Sequence, residues 1–139
     1  MLILAVLVAL TPADLTGFWH SEQDMDGGFG SCYFFWESGE YAHLRSVNEG
    51  ILYLGDWYMT SDELVLNRWD AMGLDGAPIN MGIREITLTL TVPAGKAGRI
   101  FLDGDSFYLL DSDPDRAILS LVPTWRMSSD ESEAFSTYD

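Results

Sequence analysis

The sequence predicts an all-β fold: an antiparallel up-and-down meander that closes into a small β-barrel of about eight strands. Three observations lead there. From Gly17 onward the apolar residues come in short runs, separated by turn residues at intervals of about eight to twelve. Helical periodicity is nearly absent. The links between runs are short, and parallel neighbours would need crossovers of about a dozen residues or more. With so many consecutive strands, closure also removes edges that would otherwise need protection.

Taken in order, residues 1–10 read MLILAVLVAL, too short to span a bilayer but of the length of a secretory hydrophobic region. The small residues TPA at 11–13 supply a cleavage site. A signal peptide over 1–13 and a secreted or periplasmic product are therefore expected. Because no Lys or Arg precedes the run, the other readings are a true start that lies upstream and a hydrophobic amino-terminal strand. The barrel domain then covers 14–126. Its strands are expected at 17–21, 31–36, 41–47, 51–59, 63–69, 83–92, 98–103, 106–111 and 116–122.

Between them ESGE (37–40), NEG (48–50), TSDE (60–63), PAGKAG (93–98) and DGD (103–105) carry the residues that tight reversals need. EITLTLTV, 85–92, is the clearest strand. Ile86, Leu88, Leu90 and Val92 alternate there with Thr87, Thr89 and Thr91, giving one buried face and one wet face. The Gly-rich stretches 22–30 and 71–82 are expected to be loops lying across the barrel mouth. The acidic, Ser-rich stretch 127–139 is expected to be a flexible tail.

Acids outnumber bases 22 to 7, for a net charge of -15. Nucleic acid would be repelled, and no membrane insertion is expected after processing. A basic protein would be attracted. Cys32 is the single cysteine, so no intrachain disulfide forms, and its apolar neighbours suit a small buried hydrophobe.

No catalytic constellation is legible, and an enzyme is not expected. The two histidines, His20 and His43, lack zinc spacing, no phosphate loop occurs, and neither a metal nor a cofactor is implied. DSDPD at 111–115 departs from calcium-loop spacing at Pro114 and reads as an acidic turn. By alternation His20 faces outward as a surface residue. His43 shares a face with Tyr41 and Arg45, either as a polar group in a pocket or as a satisfied, partly buried side chain.

Three stretches line up: LTGFWHSE opens the domain, FFWESGEY makes the first hairpin, and LGDWYMTSDELVL places a Gly-x-Trp before a turn and an alternating strand. Together they resemble the lipocalin-like small barrels of the calycin type. The resemblance covers about residues 15 to 110. Gly17 and Trp19 match the opening motif, Trp36, Gly39 and Tyr41 the hairpin, and Gly55, Trp57, Asp62, Leu64 and Leu66 the second motif. The glycines at 17, 39 and 55 and Trp19 are thus structural, with Trp19 a plug at one barrel end. The resemblance also implies an arginine over Trp19, supplied by Arg116 or Arg126.

By alternation from that match, Phe34, Trp36, Tyr41, His43, Tyr53 and Trp57 share one face and line one half of the barrel. They either fill it or hold a ligand. The resemblance implies binding of a small hydrophobic or aromatic molecule in or at the mouth. The alternative is an acidic protein-binding module, of inhibitor or immunity type, directed at a basic partner.

Overall fold

The computed structural model describes residues 11–21, 31–46, 49–93, 98–123 and 125. Apart from residues 11–13, the expected signal peptide lies outside them, as do the loop 22–30 and the tail 127–139. The described elements are α1 (Pro12–Leu15), β1 (Gly17–Ser21), β2 (Cys32–Phe35), β3 (Glu40–Leu44), β4 (Ile51–Met59), β5 (Glu63–Gly73), β6 (Pro78–Ile79), β7 (Arg84–Thr91), β8 (Arg99–Leu102), β9 (Asp105–Asp111) and α2 (Pro114–Leu121).

The strands form a closed antiparallel barrel. Each of β1 to β5 pairs with the next, β5 pairs with β7, β7 with β8, β8 with β9, and β9 returns to β1. Eight strands make the wall, and β6 is a short annex on the end of β5. The expected fold class is thus the observed one.

Alternation divides the apolar residues between two cores. Trp19, Tyr33, Phe35, Tyr41, Trp57, Leu64, Leu66, Leu90, Ile100, Leu102 and Phe107 fill the barrel with Leu15. Their outward neighbours Cys32, Phe34, Trp36, Ala42, Leu44 and Leu52 form a second core beneath α2, with Ala117, Ile118, Val122 and Trp125. Burying each large side chain contributes about 1.5–3 kcal/mol, so both cores weigh in stability.

Two glycines allow close approaches. A Cβ at Gly17, whose φ is +138°, would lie 2.6 Å from Leu109 Cδ1 and 2.7 Å from the Asp111 carbonyl oxygen. A Cβ at Gly55 would stand 2.0 Å from the Asn67 carbonyl oxygen. Beside Gly55 the β4–β5 ladder slips by one residue. Leu54 pairs with Asp70 and Gly55 with Arg68, leaving Trp69 as an outward bulge.

The carboxy-terminal stretch departs from expectation. Residues 116–122, expected as a strand, belong mostly to helix α2, which Asp113 caps through bonds from the backbone N–H groups of Asp115 and Arg116. Pro114 occupies its first turn, where no N–H is needed. Ala117, Ile118 and Leu121 then fall on one helical face against the outer core. The segment 71–82 is likewise not wholly a loop, since Ala71 and Met72 extend β5 and pair with Ile79 and Pro78 across a turn.

Candidate functional site

One end of the barrel is stoppered. The Trp19 indole donates to the Leu15 carbonyl at 2.8 Å, and the Trp57 indole donates to the Trp36 carbonyl at 3.0 Å. Both rings are nearly fully buried, and Leu15 has no exposed surface. The plug expected at Trp19 is present. Arg116 does not cover it: its guanidinium is exposed and holds Asp111, with Nε 2.9 Å from Oδ2. Arg126, the other candidate, lies outside the described residues.

Among the described residues, the opposite end is hollow. Two adjoining lobes of about 320 and 210 Å³ share Tyr33, His43 and Arg45. The larger is completed by Ser21, Ser31, Leu88, Leu102, Asp103, Asp105 and Phe107. The smaller is completed by Tyr41, Tyr53, Leu66, Arg68, Arg84 and Ile86.

Of the six residues expected on one face, the structure brings Tyr41, His43 and Tyr53 together at this mouth. Trp57 also points inward but belongs to the packed end, against Phe35. Phe34 and Trp36 lie on the outer face, which corrects the shared-face expectation. The β2–β3 register pairs Phe35 with Tyr41 and Phe34 with Ala42, so Tyr33 and Phe35 turn inward and their even-numbered neighbours outward. Phe34 stacks on Phe18, and Trp36 stacks on Trp125 while donating its indole N–H to Asp115 at 2.8 Å.

His20 does point outward, but it is not a surface residue. It is buried between Phe18 and Tyr108, with ring centroids 6.4 and 6.2 Å away. Cys32 is fully buried in the outer core, and desolvation pushes its thiol up to about 12. The acidic run 111–115 serves structure here. Asp113 caps α2, Asp111 holds Arg116, and Asp115 anchors Trp36.

His43 sits at the centre of the mouth. Its ring stacks on Tyr33 with centroids 3.9 Å apart and planes 7° from parallel, and its Nε2 shares a 2.7 Å hydrogen bond with the Ser31 hydroxyl. Burial, then the guanidiniums of Arg45 and Arg68, push the imidazole down to about 3. The ring is therefore neutral at ordinary pH and contributes shape and hydrogen bonding, not charge. Desolvation raises Tyr33 as well, and burial pushes Tyr41 up to about 12.

The residues that sequence reasoning missed are the arginines. Arg45 and Arg68 hold their guanidinium carbons 5.2 and 4.9 Å from the Tyr53 ring centroid, and Arg84 joins them in the smaller lobe. Arg45 pairs with Glu49, which also accepts from the Tyr53 hydroxyl at 3.2 Å. Arg68 Nε is buried, with no hydrogen-bond partner among the described residues. Inward placement of Arg68 was available from its parity with Leu64 and Leu66, since no bulge intervenes between them.

No protein-family model, curated protein or solved structure matches this chain.

Proposed function

We propose that this protein is a lipocalin-like binding barrel that takes a small hydrophobic or aromatic molecule at its open mouth. The observation that carries the reading is the contrast between the two ends. The same wall that packs Trp19, Phe35 and Trp57 tightly at one end leaves two connected lobes at the other, walled by Tyr33, Tyr41, Tyr53 and the neutral His43. Aromatic rings and hydrogen-bonding groups line the concavity together, a combination that can hold a small molecule by stacking and by polar contacts. The opening motif at Gly17 and Trp19 and the closed meander support the lipocalin-like assignment.

Titrating the full chain with neutral and charged aromatic dyes tests the reading. Saturable binding that weakens in Tyr53→Ala supports it, and the absence of saturable binding by any dye overturns it. The proposed role is carriage or capture, without catalysis, in a secreted or periplasmic setting.

A second reading rests on the outer wall, where Asp56, Asp62, Glu63, Asp70 and Glu85 are all exposed. Such a surface suits association with a basic protein, at rates that fall as salt is added. Capture of a basic partner at low salt, by a variant whose mouth no longer binds dyes, distinguishes this from the first reading.

A further inference from the structure

The mouth gathers positive charge in a chain that has very little of it. Arg45, Arg68 and Arg84 are three of the seven basic residues in a protein of net charge -15, and all three line the same lobe of about 210 Å³. Aligning like charges beside one another is unfavourable unless something offsets it. Arg45 has Glu49, but neither Arg68 nor Arg84 forms an ion pair among the described residues. Arg68 Nε is itself buried, with no hydrogen-bond acceptor among the described residues. A carboxylate entering this lobe would supply the counter-charge that Arg68 and Arg84 lack among the described residues.

We infer that the mouth selects a compact aromatic carboxylate, with the carboxylate between Arg68 and Arg84 and the ring against the aromatic wall. The inference rests on the binding reading above and names the class of molecule bound. Guanidinium planes match carboxylates through paired N–H donors, whereas an apolar ligand would leave the charges of Arg68 and Arg84 without a counter-ion among the described residues. The stacked Tyr33–His43 pair and Tyr53 offer flat faces to a ring. Asp103 and Asp105 on the far side of the mouth disfavour the reverse orientation by repelling the carboxylate. Length is limited from below, because Trp19, Phe35 and Trp57 fill the space that a long alkyl chain would need.

Calorimetric titration of the full chain with naphthoate, its uncharged isostere naphthamide, and palmitate tests the inference. Naphthoate is expected to bind about tenfold or more tightly than naphthamide, a difference of about 1.4 kcal/mol. Arg68→Gln and Arg84→Gln should each weaken naphthoate by about tenfold while leaving naphthamide unchanged. Arg84 is exposed, so its variant keeps the test decisive if Arg68→Gln folds poorly. Equal binding of naphthoate and naphthamide overturns carboxylate selection and leaves the apolar mouth standing. Palmitate binding more tightly than naphthoate overturns the limit on size. Saturable binding by none of the three overturns both this inference and the reading beneath it.

Discussion

His43 lies flat on Tyr33, 3.9 Å between ring centroids, inside a barrel that keeps its imidazole neutral. The relationship joins the packed interior to the open mouth, because Tyr33 also meets Phe35 and Phe107 deeper in the core. Protonating the histidine would place a third cation beside Arg45 and Arg68, against the charge already there.

A pH dependence follows. The unfolded imidazole titrates near 6.5 and the folded one near 3, so between these values the unfolded chain binds the extra proton. Stability from this group is complete above 6.5 and is lost as pH falls toward 3, with a slope of at most about 1.4 kcal/mol per pH unit. His43→Phe keeps the flat stack without the titrating group. Urea unfolding across that window should show the parent losing stability faster than the variant. Parallel pH profiles for the two proteins count against a neutral, buried His43.

Gly55→Ala is expected to destabilise the barrel by about 3 kcal/mol or more, because the new methyl meets the Asn67 carbonyl at 2.0 Å and backbone must move. Gly82→Ala, with nothing within 4 Å of its added Cβ, should stay within about 0.5 kcal/mol of the parent. Denaturant midpoints of the two variants measure the contrast. A Gly55→Ala protein as stable as Gly82→Ala would contradict the close approach at the β4–β5 slip.

The Trp36–Asp115 hydrogen bond ties α2 to the wall. Trp36→Phe and Asp115→Ala should each cost about 1 kcal/mol or more, the first also losing part of its stack on Trp125. A double-mutant cycle should give a coupling of about 0.5 kcal/mol or more. Additive losses would mean that the helix is held by apolar packing alone.

Cys32 should be inert to thiol reagents in the folded protein, since it is fully buried and its thiol is pushed up to about 12. Labelling with a chromogenic disulfide should proceed at the rate of unfolding and accelerate in Gly55→Ala. Rapid labelling of the native parent would show that the outer core beneath α2 opens locally.

Much of the fold is legible because the strands are short and bounded by recognisable turn residues. The expected strands 17–21 and 51–59 match Gly17–Ser21 and Ile51–Met59, and the meander order follows from the hairpin turns. What failed was parity across a turn. Alternation from the resemblance puts Phe34 and Trp36 on the face of Tyr41, whereas the register that decides their side is set by how the Glu37–Gly39 reversal closes. Residues 116–122 were misread because eight helical residues show little more than two turns of period, although Asp113 and Pro114 carried the start signal. At the site, the same alternation does bring Tyr41, His43 and Tyr53 to one face. Arg68 was passed over because a lone arginine in a strand reads as solvent-facing until the apolar parity of Leu64 and Leu66 is applied to it.

The pairing of β1 with β9 has a consequence for how the chain acquires its shape during synthesis. Phe18 and Asp111 are partners across that seam, so the first strand waits for nearly the last before it gains its second neighbour. Hairpins such as β2–β3 and β4–β5 form from local contacts and can assemble early, while the seam must close a loop of most of the domain. A ribosome holding the carboxy-terminal segment would therefore keep the barrel an open sheet, with the inner aromatics unprotected until Asp111 and the helix behind it emerge.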